Sequence, residues 1–124
     1  MLGGTDTAYK LAKKYKIKVG FGTDLQQDPA LIDRWGAMFV KITKWYTPAE
    51  ALRMATSVNQ EFFRMSGPRH PYQEGPLGVV EAGAYADLLL VDGNPLENIN
   101  LIADPGKNFV LITKDGKTYK NIVQ

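Results

Sequence analysis

The spacing of apolar residues changes abruptly across residues 66–78, and no architecture made of one kind of element survives that change. Before it, apolar side chains recur every three to four positions, as helices require. After it they fall into short runs of about four to six residues with turn signals between them, as strands require. The intervening stretch, SGPRHPYQEGPLG, holds three of the seven prolines and three of the twelve glycines. Such a stretch reads as a loop. The chain therefore divides into a helix–strand–helix portion over residues 1–66, a linking loop over 67–76 and a small β portion over 77–124. The fold class this predicts is α/β.

In the first portion, Thr5 or Asp6 can cap a short helix whose inward residues are Ala8, Leu11, Ala12 and Tyr15. Ile17, Val19 and Phe21 then alternate with Lys18 and Gly20, which predicts a strand ending in Gly22-Thr23-Asp24. Asp28-Pro29 opens the next helix, since proline is tolerated at a first helical position. Its apolar residues Leu31, Ile32, Trp35, Met38, Phe39, Ile42 and Trp45 form one wide stripe, expected to face a core. Thr47-Pro48-Ala49-Glu50 is a capping box, and Ser57-Val58-Asn59-Gln60 offers a second one before Phe62, Phe63 and Met65. Ser66-Gly67-Pro68 should end that helix.

The second portion predicts strands at Gly78–Val80, Ala86–Val91, Phe109–Thr113 and Thr118–Ile122. A short helical turn is expected within Leu96–Ile102. Lys114-Asp115-Gly116-Lys117 fits a two-residue hairpin between the last two strands.

Composition narrows the chemistry. There is no cysteine and a single histidine, so disulfides, a cysteine nucleophile and a cage of several histidines from this chain alone are excluded. No apolar run approaches the roughly 18 residues that span a bilayer, and the first residues lack the apolar core of a signal peptide. No membrane partner is expected, and a cytoplasmic setting is the default. Net charge is only +2. Lys10, Lys13, Lys14, Lys16 and Lys18 cluster, but without a recognition motif or interleaved stacking aromatics they read as a solvated face, and no nucleic-acid partner is expected.

Asp24 is the most informative candidate. A carboxylate just beyond the C-terminal end of a parallel-type strand lies where α/β folds gather catalytic groups, and it can bind a divalent metal or take a proton from metal-bound water. The competing reading is a turn aspartate. Asp6 shares the Gly-Thr-Asp tripeptide but follows no strand, so it reads as a cap. His70, between Arg69 and Pro71, is expected to be an exposed loop residue. Asp28, Asp33 and Arg34 could flank a pocket, although helix-start and solvent-face roles explain them first. Asp87, inside an apolar run, should be hydrogen-bonded to turn backbone, because an unpaired buried charge is costly. No phosphate-binding glycine loop, Ser/His/Asp set or dinucleotide fingerprint is present.

Five segments in fixed order carry more than any of these residues alone: IKVGFGTD (17–24), TPAEALRMAT (47–56), LGVVEAGAYADLLLVD (77–92), Gly93–Pro95 and ITKDGKTYK (112–120). Together they resemble the C-terminal part of the metal-dependent amidohydrolase superfamily, nearest its imidazolonepropionase-like and Xaa-Pro dipeptidase-like members. The resemblance implies the last strand and closing helices of a β/α barrel, followed by the C-terminal half of a small β-sandwich. In such enzymes the barrel mouth holds one or two divalent metals, zinc above all. Lys18–Phe21 would be the eighth barrel strand. Asp24 would be both the catalytic and the metal-binding aspartate, exchanging a proton with the hydrolytic water and the leaving amine. Residues 29–65 would be the closing helices and 77–122 the sandwich half.

The departure from that pattern is as informative. The family's His-x-His, its bridging lysine or carboxylate and its two further histidines are absent and would lie upstream of Met1, and His70 matches none of them. One inherited ligand cannot hold a catalytic zinc, which needs roughly three protein ligands. The resemblance thus implies a fragment of a hydrolase acting on amide or peptide-like C–N bonds, inactive and without a metal as an isolated chain. A small amide or dipeptide substrate belongs to the full-length enzyme. The alternative is a free-standing, non-enzymatic module that self-associates through surfaces otherwise buried, with its β segment rearranged or swapped. Either way a homo-oligomer is expected.

Overall fold

The computed structural model describes residues 2–24 and 29–123. Helix α1 runs Leu2–Lys14, so Thr5 and Asp6 lie inside the helix and do not cap it. The face it packs also differs from the expected one: Ala8 and Leu11 are exposed, as is Tyr15 just past the helix end. Instead Asp6 and Tyr9 pack inward with buried Ala12. Tyr9 stacks at a tilt on Trp45 with centroids 4.7 Å apart and meets Tyr46 edge-on at 5.5 Å. The Asp6 carboxylate accepts from the Trp45 indole at 2.7 Å and from Lys44 at 2.9 Å. Aromatic and charged partners at residues 44–46, which a single-helix pattern does not reveal, decide which face turns inward.

Pro29–Arg34 is a 3₁₀ segment that leads into α2 (Trp35–Val40), followed by a second 3₁₀ turn over Lys41–Lys44. The partner expected to open this helix, Asp28, lies outside the described residues. Thr47 caps α3 (Pro48–Arg53) in the predicted box: its hydroxyl accepts from Glu50 N at 3.3 Å, and Glu50 accepts from Thr47 N at 2.8 Å. The second box does not form. The chain passes from α3 through a π-helical turn over Met54–Val58 straight into α4 (Asn59–Arg64), leaving Ser57 no free helix end to cap.

The core gathers Phe39, Ile42, Ala51, Met54 and Ile99, with Val19, Phe21, Trp45 and Tyr46 packed around it. Ile32 and Trp35 of the stripe on 29–45, expected to face a core, are exposed, as are Phe62 and Phe63 on α4. Strands β1 (Leu88–Val91), β2 (Phe109–Lys114) and β3 (Lys117–Asn121) form an antiparallel meander in that order. Asp115 and Gly116 sit at φ 51° and 72°, the pair of positive values a two-residue hairpin turn needs. Asp87 accepts from Asp115 N at 2.6 Å, as its place in the sequence requires, but it is exposed and not buried. The predicted helical turn appears as Ile99–Ala103 and continues into α5 (Pro105–Asn108). Gly78–Val80 is not a strand. It lies where Gly78, at φ 67°, meets the backbone of Thr56.

Candidate functional site

The segment that delivers Asp24 is held in an unexpected way. Residues 17–24 form neither helix nor strand, because no described segment offers them a ladder of backbone partners. Side chains and one backbone carbonyl of the helical run do that work. Asn59 accepts from Phe21 N at 3.1 Å and donates to Phe21 O at 2.8 Å, so its amide pairs with both backbone groups of one residue as a neighbouring strand would. Phe21 N also reaches Met54 O at 3.3 Å. Met54 is the first residue of the π turn, which winds wider than an α-helix and bonds i to i+5. Phe21 then meets Phe39 edge-on at 5.1 Å, and Lys18 pairs with Glu61.

Gly20 allows this approach. A β-carbon there would lie 2.4 Å from Asn59 Oδ1 and 2.7 Å from Phe62 Cε2. The neighbouring amide does the same for another segment. With the Gln60 side chain oriented to satisfy both groups, its nitrogen donates to Leu77 O at 2.6 Å and its oxygen accepts from Leu77 N at 3.1 Å. Gln60 is buried. Two adjacent amides at the start of α4 thus fasten two separate stretches of chain. Sequence reasoning assigned this doublet to a capping box and missed its role. The available signal was Gly20, since an isolated glycine in a strand-like run marks close backbone approach.

Asp24 is exposed at φ 53°, a left-handed backbone that aspartate tolerates better than most residues. His70, expected at the surface, is buried: its ring stacks on Phe63 at 6.2 Å and meets Tyr72 edge-on at 5.6 Å. Flanking aromatics turn the proline-rich loop inward and make this histidine a packing residue. Asp33 and Arg34 are exposed, Asp33 beside a groove of about 600 Å³ with Trp35, Gly36 and Asp104, and Arg34 beside another of about 260 Å³. Among the described residues no three histidine, aspartate or glutamate side chains converge as a metal site would demand. The donors present therefore do not fit a catalytic metal by themselves. Asp24 contributes one carboxylate and its backbone is carried on a clamped segment.

Electrostatics elsewhere are those of a folded surface. Hydrogen bonds from Lys44 and Trp45 hold the Asp6 carboxyl below its usual range. The backbone bond from Thr47 does the same for Glu50. Burial pushes the Tyr46 phenol up. Among the described residues no helix is long and apolar enough to cross a membrane.

Comparison with known proteins places this architecture. The model of the amidohydrolase family matches residues 3–124. A solved structure described as an amidohydrolase is 30% identical, with TM-score 0.78 over 95% of this chain and 26% of its own length. A prolidase complexed with N-methylphosphonate-L-proline is 31% identical, with TM-score 0.75 over 93% of this chain and 26% of its own. The A. niger ochratoxinase is 27% identical, with TM-score 0.70 over 92% and 24%. No curated protein matches. The chain thus spans about a quarter of the length of the solved structures it matches. Its whole described length, from α1 through β3, follows one family, and the chain belongs to the amidohydrolase family.

Proposed function

We propose that these residues are the C-terminal part of a metal-dependent hydrolase of amide or peptide-like C–N bonds, and that they are inactive as an isolated chain. The reading rests on one observation above all: the family match runs through residues 3–124, while Asp24 stands exposed at the end of a segment fastened to α4. In this reading residues 17–24 and the helices up to 65 complete a β/α barrel, and residues 77–122 complete a small β-sandwich. Asp24 supplies one oxygen donor toward a divalent metal, zinc by resemblance, and holds the proton passed between water and the leaving amine. A divalent metal held there would supply Lewis acidity, and its other ligands would have to come from outside these residues. Small amides or dipeptides are the substrate class.

The test grafts residues 3–124 in place of the corresponding quarter of the prolidase. The isolated chain is expected to hold no stoichiometric zinc and to turn over no dipeptide, and the folded chimera to hydrolyse the prolidase's substrate. Stoichiometric zinc with turnover by the isolated chain would overturn its inactivity. A folded, metal-loaded chimera without activity would overturn the assignment of Asp24.

A second reading is a non-enzymatic module that associates with its own copies. It is favoured by β1, an end strand of the sheet order whose Leu88, Leu89 and Leu90 are all exposed. Bare apolar strands at a sheet edge are ready partners for another chain.

A further inference from the structure

We propose that Asn59 is the positioning residue for Asp24: its side-chain amide pairs with both backbone groups of Phe21 and so fixes, from the helix side, the segment that presents the carboxylate. This rests on the reading of Asp24 as an active-site group. Four observations converge on it. The amide satisfies both backbone groups of Phe21, three residues before Asp24, at 3.1 and 2.8 Å. A side chain that donates and accepts at one residue fixes both position and direction of the chain, as a single bond cannot. Gly20 leaves the space the amide occupies, since a β-carbon would come within 2.4 Å of Asn59 Oδ1. Met54 O, at the first residue of the π turn ahead of Asn59, also accepts from Phe21 N, at 3.3 Å. The Lys18–Glu61 ion pair fastens the same two elements two residues along α4 from Asn59.

The clamp makes a specific chemical prediction. An aspartate in place of Asn59 has the same shape but, when ionised, only accepts. It keeps the bond from Phe21 N and turns the bond to Phe21 O into a repulsion. When protonated it donates and accepts as the amide does. The charged groups at this seam are Lys18 and Glu61, with Glu50 and Arg53 lining the adjoining groove beside Val19 and Met54.

Amide hydrogen exchange of ¹⁵N-labelled protein reads the clamp directly in the 124-residue chain. Asn59→Ala and Gly20→Ala are each expected to lower protection of the Phe21 amide roughly tenfold to a hundredfold. Protection of Leu111 in the sheet should stay within about twofold, since the seam opens locally. Asn59→Asp should be less protected than the parent at neutral pH, because the repulsion at Phe21 O outweighs the retained bond from Phe21 N, and should regain protection relative to Asn59→Ala at about pH 3.5, below the ordinary aspartate value. In the active chimera, Asn59→Ala should lower kcat about tenfold to a hundredfold with KM unchanged, since misplacing a reacting group costs rate more than binding. Unchanged Phe21 exchange in both Asn59→Ala and Gly20→Ala would overturn the clamp. Lost protection with unchanged kcat would overturn its link to Asp24. An inactive chimera with Asn59 intact would overturn the reading of Asp24, and with it that link, while exchange still decides the clamp. If Asn59→Ala does not fold, Asn59→Asp across pH gives the same decision within one folded variant.

Discussion

Gly36→Ala tests the packing of the helical layer most severely, because two effects of known sign oppose each other there. In an exposed helix the change stabilises by about 0.5–1 kcal/mol, since alanine has the better helix propensity. Gly36, however, lies on α2 against the Ile99–Ala103 turn. Its added β-carbon would fall 2.0 Å from Ile102 O and 3.1 Å from Ala103 Cα. The atoms met are backbone, so no rotamer change relieves the clash. Restoring contact distance needs a shift of roughly 1 Å between the two elements, and close-packed interiors absorb such shifts poorly. Phe39 and Ile99, both buried in this seam, would be opened to water. Overpacking costs about 1–3 kcal/mol at a typical site, and a backbone obstacle puts this one at the upper end. After the propensity gain, a net loss of about 2 kcal/mol remains. For a chain of this size that lowers Tm by roughly 6–12 °C. Gly4→Ala is the internal control: it sits in α1 with nothing within 4 Å of its β-carbon. It should raise Tm by a few degrees. Thermal unfolding followed by far-ultraviolet circular dichroism measures both. A Gly36→Ala protein as stable as Gly4→Ala would refute the close approach of α2 to residues 99–103.

Three further outcomes follow from the same structure. Thr47→Ala removes the hydroxyl that caps α3 and should cost about 1 kcal/mol, a fall in Tm of roughly 3–6 °C; no change would mean the capping box contributes nothing. Asp6 lies below its ordinary value of 3.8 in the folded chain, so its contribution is complete above that value and is lost as pH falls through the lower, folded one. In a Trp35→Phe background, Trp45 fluorescence should therefore titrate in strong acid, and Asp6→Asn should abolish that step. Light scattering at micromolar concentration should give a dimer or larger species, through the exposed leucines of β1; a strictly monomeric mass would contradict self-association.

Much of the local structure was legible because it rests on local chemistry. The Thr47 box, the Asp115-Gly116 hairpin and the Asp87 bond to that turn each involve residue types whose geometry admits few alternatives. The shift from helical spacing to short strands was legible for the same reason. What could not be read depends on partners distant in sequence. Alternation in residues 17–21 signals a strand only if another strand lies beside it. Here Asn59, 38 residues away, takes that place with its side chain. Ser57 looks like a cap until the π turn carries the helix past it. His70 looks exposed until Phe63 and Tyr72 close on it. The inward face of α1 was misread because Asp6 is drawn in by the Trp45 indole, which outweighs the apolar spacing of Ala8, Leu11 and Tyr15. As for the candidate site, the place of Asp24 after an apolar run makes it a candidate from the sequence alone. The contacts that hold the preceding segment at Phe21 were not legible, since Gly20, Asn59 and Met54 come together only through the fold.

Whether Asp24 is an active-site carboxylate carried by a clamped segment is decided by one rate measurement. In the prolidase chimera bearing residues 3–124, kcat for Asp24→Asn is compared with that of the parent chimera at equal metal content. Removal of a group that moves the reacting proton predicts a fall of roughly 10²–10⁴-fold, with the thermal unfolding midpoint unchanged because the side chain is exposed. An Asp24→Asn chimera as fast as its parent would mean that Asp24 takes no part in the reaction.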